Sequence, residues 1–423
     1  MIPFVTGSTP VTGPSQERGY LGSVDDSHVK DDSNIGFDIF SMIDPWAFTQ
    51  THSEAFIGEN LSGSGINIGI IDGGFAYADT AARLQHHFAG NRIGGTNNYL
   101  NPGSEQFFTV KDSEADFHGS VVWHLIGGYN PGDSSHIGTA IGATYYLAST
   151  DAPGAESRTE EKHWAQALEW LRSNDVKLVN SSLTYSTGYD NPAENYLPEQ
   201  MDGQTTLTAK AAFKAAEANM ILVVAAGNEG DDEEWQIVSS PADVEGVITV
   251  GATDREGLRA TMSSVGSAYT PYLKPDVACY GFSGTSTAAP VITGLIACML
   301  QKDATMSPAR VKDILVRSAS LYPFPNNYLG YGVPDARKIL TIMNGEKITY
   351  NAREVSAKDT FTIEGVTSYD HAIRVFHKSG AHRVSSQELH DQWEGSLVIR
   401  RPSEKITRTT IAGDGFVREV IWQ

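Results

Sequence analysis

The stretch Ile66-Asn67-Ile68-Gly69-Ile70-Ile71 is a short, nearly continuous apolar run that ends in Asp72. Runs of this length, apolar on both faces, are typical of strands in a parallel sheet that is covered on both sides. Three further runs of this kind follow, at residues 178–183, 221–226 and 247–250. The sequence therefore predicts a sheet whose strands are buried between two layers.

Helical patterns lie between these runs. Residues 160–174 place apolar side chains on one face at helical spacing, residues 206–220 are rich in alanine, and Ser307-Pro308 is an N-cap followed by a first-turn proline. Alternating strands and helices predict an α/β fold, a doubly wound parallel sheet flanked by helices with right-handed crossovers. Such sheets bind ligands at the carboxyl ends of their strands, and Asp72 and Asn228 both lie at such ends.

After residue 344 the pattern changes. Apolar and polar residues mostly alternate in segments at residues 347–350, 360–363, 373–376, 397–400, 406–409 and 416–420. This period of two indicates half-buried antiparallel strands, so we expect residues 345–423 to form a small C-terminal all-β domain, a sandwich. Residues 1–40 are polar and rich in Gly, Ser and Asp, and we interpret them as an extended arm before a main domain at 41–344.

Composition narrows the class of protein. The 423 residues suffice for one large domain and a smaller one. A formal net charge of −20 argues against nucleic acid or an anionic membrane as a partner. No apolar run approaches the roughly 18 residues of a membrane span. Cys279 and Cys298 lie in apolar segments, which favours two buried free thiols and leaves a single bridge between them open.

The stretch Gly284-Thr285-Ser286-Thr287-Ala288-Ala289-Pro290 places a hydroxyl at the start of an apolar helical run, residues 291–300. A serine at a helix N-terminus can be acylated while nearby backbone N–H groups face the developing negative charge. We expect Pro290 in the first turn, where its missing N–H costs nothing. The alternative is that Ser286 only caps the helix.

A nucleophilic serine needs a base and an acid that orients the base. Among twelve histidines the best base is His118, which a glycine follows at the start of an apolar helix; His86, His87, His124 and His163 are interpreted as helix-face or core residues. Asp72 is the best acid, because a carboxylate at the end of a buried strand needs a partner. Asn228 is the candidate oxyanion donor. Taken alone, Asp72 and Asn228 are also ordinary turn residues.

Asp72, His118, Asn228 and Ser286 occur in an order, and in segments, that resemble the subtilisin-like serine proteases, the subtilases. The matching segments are Ile70-Ile71-Asp72-Gly73-Gly74, Phe117-His118-Gly119-Ser120, Ala225-Ala226-Gly227-Asn228-Glu229-Gly230 and Gly284-Thr285-Ser286-Thr287-Ala288-Ala289-Pro290. The resemblance covers roughly residues 50–340. It implies Ser286 as nucleophile, His118 as general base, Asp72 as its partner and Asn228 as oxyanion donor.

The same resemblance implies two walls of a substrate pocket, along which a polypeptide would pair as an added strand. The residues are Ser182, Leu183 and Thr184 on one wall and Ala225, Ala226 and Gly227 on the other. Three departures from the family pattern occur. Thr184 stands where glycine is usual, and only residues 277–283 separate Asp276 from Gly284, and both departures bear on the shape of the pocket. Thr287 replaces a methionine, which removes an oxidisable thioether from the site.

The resemblance also sets expectations about cofactors, partners and location. It implies no cofactor for the chemistry and leaves structural calcium open, although the acidic runs at 25–26, 31–32 and 231–234 have no recognisable calcium-loop spacing. We expect a monomer that acts on polypeptide and is secreted or periplasmic, with leader and propeptide not contained in this sequence; a cytoplasmic location stays open. Two other functions remain as alternatives: a transpeptidase or macrocyclase on the same residues, and a catalytically silent binding protein.

Overall fold

A computed structural model of the chain describes residues 40, 43–104, 106–109, 114–152, 154, 156–364, 372–393 and 395–423. The extended arm expected at 1–40 lies outside this part of the chain, apart from Phe40. The strands are β1 (Asn67–Asp72), β2 (Ile93–Asn98), β3 (Tyr129–Asn130), β4 (Ser135–His136), β5 (Thr144–Ser149), β6 (Leu178–Ser181), β7 (Ile221–Ala225), β8 (Ile248–Thr253), β9 (Val277–Tyr280), β10 (Ala352–Ala357), β11 (Thr360–Glu364), β12 (Ile373–Lys378), β13 (Val384–His390), β14 (Ser396–Arg400), β15 (Arg408–Gly413) and β16 (Phe416–Trp422).

The α-helices alternate with the strands of the first part of the chain. They are α1 (Trp46–Gln50), α2 (Glu54–Gly58), α3 (Gln85–Ala89), α4 (Glu114–Gly127), α5 (Arg158–Ser173), α6 (Leu207–Glu217), α7 (Thr285–Lys302), α8 (Pro308–Ser318) and α9 (Ala336–Met343). Short 3₁₀ turns lie at Ala82–Leu84, Pro192–Glu194 and Pro198–Gln200. Within the described residues, no helix is both long and apolar enough to cross a membrane.

Seven of these strands form one parallel sheet in the order β2-β5-β1-β6-β7-β8-β9. Alternate residues of a strand point to opposite faces. In β7, Val223 packs in the layer that contains α4 and α7, whereas Val224 packs in the layer that contains α5 and α6. Helices therefore cover both faces, which confirms the predicted doubly wound α/β fold and places the carboxyl ends of β1 and β7 at one edge of the sheet.

The C-terminal strands form a separate all-β region, as predicted. A five-stranded sheet, β10-β16-β15-β12-β13, shares one apolar core with the two-stranded sheet β11-β14. Three details differ from the prediction. Val384–His390 forms strand β13, although no strand was predicted there. Residues 347–350 do not form a strand, and the first strand of this region, β10, begins at Ala352. β10 also runs parallel to β16, whereas antiparallel strands were predicted. The domain boundaries at 40/41 and 344/345 stay predictions.

Candidate active site

Asp72 and His118 form a buried pair. Asp72 is the last residue of β1 and His118 lies in the second turn of α4. The His118 Nδ1 atom lies 2.6 Å from Asp72 Oδ1, and both side chains are 0% exposed. The backbone N–H of Gly73 donates a second hydrogen bond, of 2.9 Å, to the same carboxylate oxygen. Because an ionised carboxylate only accepts hydrogen bonds, the proton of the neutral imidazole resides on Nδ1.

Two glycines allow the helix and the strand to meet this closely. A Cβ atom on Gly119 would lie 2.6 Å from the Gly74 carbonyl oxygen and 3.0 Å from the Asp72 Cβ. A Cβ atom on Gly74 would lie 2.4 Å from the Asp116 carbonyl oxygen. The missing side chains leave room for backbone hydrogen bonds from Gly119 N to Gly74 O and from Ala76 N to Asp116 O. These contacts fix the position of His118 relative to the end of β1.

Ser286 is the second residue of α7 and is 3% exposed. The helix begins at Thr285, directly after Gly284, whose φ of 134° favours glycine. The prediction that Pro290 lies in the first turn is therefore wrong, since it falls in the second. A proline there cannot donate to the carbonyl four residues earlier, which belongs to Ser286. The hydroxyl of Ser182 donates to that carbonyl instead, at 2.8 Å.

Asn228 lies three residues beyond the end of β7 and faces the start of α7. Its Oδ1 accepts hydrogen bonds from the backbone N–H of Thr285 at 2.9 Å and from the Thr285 hydroxyl at 3.1 Å. A Cβ atom on Gly284 would lie 2.8 Å from the same oxygen, so glycine is required for this approach. These bonds orient the amide so that Oδ1 points at Thr285 and the Nδ2 donor is directed elsewhere.

Six residues are predicted to line the substrate pocket. Residues 182–184 directly follow β6, and residues 225–227 comprise the last residue of β7 and the two after it. Ser182, Leu183, Ala225, Ala226 and Gly227 are buried, and Thr184 is half-buried. A Cβ atom on Gly227 would lie 2.6 Å from a Glu229 carboxylate oxygen and 2.8 Å from the Ser264 hydroxyl. The Ser264 hydroxyl also lies 3.1 Å from that carboxylate. The segment 225–227 therefore has a carboxylate and a hydroxyl beside it, which the sequence prediction did not include.

The short segment before the serine is mostly strand. Residues Val277–Tyr280 form β9, the edge strand of the large sheet, so that only residues 281–283 connect the sheet to Gly284. Cys279 and Cys298 are buried and free, as predicted, and burial raises the pKa of both thiols. In the described part of the chain, no group of three or more His, Cys, Asp or Glu side chains is arranged to hold a metal ion.

Two side chains that sequence reasoning missed also help to shape the site. Thr285 bonds to both Asn228 and the backbone of Gly227, and Ser264 bonds to the backbone of Glu229. Thr285 lies in the same motif as Ser286, so the sequence itself places a second hydroxyl next to the candidate nucleophile. Ser264 is separated from Glu229 by 35 residues, and no local pattern connects the two.

The chain is similar in sequence to one family of known proteins. Residues 63–332 match the model of the Subtilase family. The chain is 27% identical over 302 residues to "Subtilisin NAT" of Bacillus subtilis subsp. natto, covering 68% of this chain and 69% of that protein. It is 29% identical over 255 residues to "Extracellular serine proteinase" of a Thermus species, covering 57% of this chain and 54% of that protein.

The structure is also similar to solved structures, and this similarity concerns the fold alone. The structure of the Clostridium perfringens CspB protease superposes with a TM-score of 0.55 at 16% identity, covering 71% of this chain and 100% of that one. The family match spans well over half of the chain, and its span contains Asp72, His118, Asn228 and Ser286. The chain belongs to the subtilase family and is a serine-type peptidase.

Proposed function

We propose that this protein is an endopeptidase that hydrolyses extended polypeptides through an acyl-enzyme on Ser286, with Asp72, His118 and Ser286 as its catalytic triad. The observation that carries the proposal is the fully buried pair between Asp72 and His118, with 2.6 Å between Oδ1 and Nδ1. A base held in one tautomer by a buried acid is what a serine nucleophile requires. Membership of the subtilase family supplies the reaction class.

In this mechanism His118 acts through Nε2, because the N–H at Nδ1 donates its hydrogen bond to Asp72. Nε2 takes the proton from the Ser286 hydroxyl as Oγ attacks the peptide carbonyl carbon. The imidazolium then protonates the leaving amine, which departs and leaves an ester on Ser286. Water enters and His118 takes its proton as the water oxygen attacks the ester carbon. The bond to Ser286 Oγ then breaks, the imidazolium returns the proton to Oγ, and the acid product leaves. The Asp72 carboxylate stays ionised and stabilises the imidazolium.

Negative charge develops on the carbonyl oxygen during the attack. Two donors are assigned to stabilise it by hydrogen bonds, the Asn228 Nδ2 amide and the backbone N–H of Ser286. Two hydrogen bonds to Thr285 hold the Asn228 amide before the reaction begins. A donor that is already oriented requires no free energy for reorientation at the transition state, and this is the main source of its effect on the rate. The position of Ser286 at the start of α7 adds the favourable field of a helix N-terminus.

The substrate is proposed to lie between the segments 182–184 and 225–227 as an added strand, which suits an unfolded or looped polypeptide and no particular terminus. We also propose that the protein acts outside the cytoplasm, secreted or periplasmic. The name of one relative, the "Extracellular serine proteinase" of a Thermus species, supports this location. No step of the proposed mechanism uses calcium.

A fluorophosphonate probe tests the proposal. The folded wild-type protein is expected to label at one site, and Ser286→Ala is expected to lose the label. Thr287→Ala, next to Ser286 in the same helix, is the matched control and should still label. Equal labelling of wild type and Ser286→Ala contradicts the proposal, and absence of labelling indicates a silent binding protein. Mass spectrometry of products from a peptide mixture then separates hydrolysis from transpeptidation.

A further inference from the structure

The turn that follows β8 is held by the C-terminal β region. Residues 253–259 form this turn, which is closed by a bridge between Thr253 and Arg259. Arg374 of β12 donates through Nε to the carbonyl oxygen of Glu256. Gln387 of β13 makes two hydrogen bonds to one residue: its Oε1 accepts from Arg259 N at 3.0 Å and its Nε2 donates to Arg259 O at 3.1 Å.

Apolar packing joins the same two parts of the chain. Leu258, in the turn, packs in a cluster with Phe376 and Val384 of the β region. The cluster also contains Leu321 and Leu329, which belong to the segment between α8 and α9. The turn is thus fixed to the β region by hydrogen bonds from side chains of the β region to the backbone of the turn, and by apolar packing.

The side chain of Arg259 connects the turn to the residues that lie next to the candidate site. Its Nη1 donates to the carbonyl oxygens of Thr261 at 2.7 Å and Ser263 at 2.6 Å. Its guanidinium lies over the Tyr328 ring, 4.6 Å from the centroid. A planar cation that binds two carbonyls and stacks on a ring holds the local backbone in one shape. The segment 259–264 is therefore shaped by Arg259.

The segment 259–264 holds the loop that carries Asn228. Ser264 N donates to Gly227 O at 3.1 Å, and Glu229 N donates to the Ser264 hydroxyl at 3.2 Å. Gly230 N donates to Met262 O at 2.7 Å. Residues on both sides of Asn228 are therefore tied to this one segment. A Cβ atom on Gly230 would lie 2.5 Å from Arg259 Nη1, so the guanidinium also contacts the Asn228 loop directly.

We infer that the C-terminal β region positions the oxyanion donor: Gln387 and Arg259 are positioning residues that act on catalysis through the Asn228 loop. The inference rests on the proposed function, since it requires that Asn228 stabilises the oxyanion. It assigns the β region a part in the rate of the peptidase reaction rather than in stability alone. The path runs from Gln387 to the Arg259 backbone, through the guanidinium to segment 259–264, and from there to Asn228.

The test uses the full chain with Gln387→Ala and, as matched control, Ser386→Ala. Ser386 is the neighbouring exposed residue of β13, and its side chain points to the opposite face of the strand. We expect Gln387→Ala to lower kcat about tenfold while KM stays within about twofold, because a misplaced oxyanion donor weakens the transition state and not substrate binding. The Ki of a peptidyl boronic acid should rise by the same factor, and that of a non-electrophilic peptide should not change.

A double-mutant cycle separates positioning from general destabilisation. If Gln387 acts through Asn228, then Gln387→Ala in an Asn228→Ala background should change kcat by less than about twofold. A tenfold loss of kcat that persists in the Asn228→Ala background overturns the inference. The inference is also overturned if Asn228→Ala is slow while Gln387→Ala keeps the wild-type kcat. An Asn228→Ala enzyme with wild-type kcat overturns the oxyanion assignment itself, and the positioning role with it. Gln387→Met preserves side-chain length without the amide and gives the same test if the alanine variant does not fold.

Discussion

Lowering the pH should destabilise this protein through two buried histidines, His87 and His124. Both side chains are 0% exposed. Each ring donates one N–H to a backbone carbonyl, His87 to Gly127 at 2.8 Å and His124 to Ser120 at 2.6 Å. The other ring nitrogen of each is buried and has no hydrogen-bond partner among the described residues. A second proton would therefore create a buried cation with an unsatisfied donor.

The pKa values give the sign and size of the effect. Burial is the main cause that lowers the pKa of His87 to about 2 and that of His124 to about 3, and nearby His86 lowers both further. In the unfolded chain a histidine titrates near its usual pKa of about 6.5. Below that pH the unfolded chain binds protons that the folded one does not, so stability falls as the pH falls. From about pH 7.5 to about pH 5.5 each histidine costs about 1.4 kcal/mol, or about 2.7 kcal/mol together.

Urea unfolding at the two pH values, followed by tryptophan fluorescence, measures this loss. His124→Asn keeps a donor for the Ser120 carbonyl but does not titrate, so its loss between the two pH values should be smaller than that of the wild type by about 1.4 kcal/mol. His52→Gln, at a partly exposed side chain, is the control for removing a histidine and should behave as the wild type. Equal losses for the wild type and His124→Asn would refute the reasoning.

Three further predictions concern the site. Gly119→Ala should lower kcat/KM more than about tenfold, because its Cβ would lie 2.6 Å from Gly74 O beside Asp72; Gly58→Ala, with no atom within 4 Å of the new Cβ, should not change the rate. Ser182→Ala leaves the buried Ser286 carbonyl without the Ser182 hydrogen bond and should cost about 1–3 kcal/mol of unfolding free energy, measured by urea titration. Thr285→Val keeps the side-chain shape but removes the hydroxyl bonds to Asn228 and Gly227, so kcat should fall about tenfold at constant KM; unchanged kinetics would exclude a role for that hydroxyl in holding Asn228.

Four of the central strands were predictable because their residues are buried on both faces. The runs containing β1, β6, β7 and β8 are almost fully buried and mostly apolar, and this composition marks them without any partner being known. The inner strand β5 and the edge strands β2 and β9 were not predicted. In β2 the reason is composition, because it contains Gly94 and Gly95 and ends in two asparagines, which individually favour turns. Burial alone does not identify a strand whose outer edge faces solvent.

Within the site, the sequence predicted the pairing of Asp72 with His118 but not the contacts that hold the neighbouring residues. Asp72 and His118 were chosen from their local motifs, and the structure brings them within 2.6 Å. The bond from Ser182 to the Ser286 carbonyl could not be foreseen, because it depends on where α7 begins relative to Pro290. The contact of Gln387 with Arg259 spans 128 residues, and no periodicity or spacing links positions that far apart.

The central claim is that Ser286 forms an acyl-enzyme, and a burst experiment tests it most directly. With a p-nitrophenyl ester the wild type is expected to release about one equivalent of nitrophenol per enzyme before steady turnover, and the trapped acyl group should map to the peptide that contains Ser286. Ser286→Ala should show neither burst nor adduct. An adduct on another residue, or the same burst from Ser286→Ala, would contradict the mechanism.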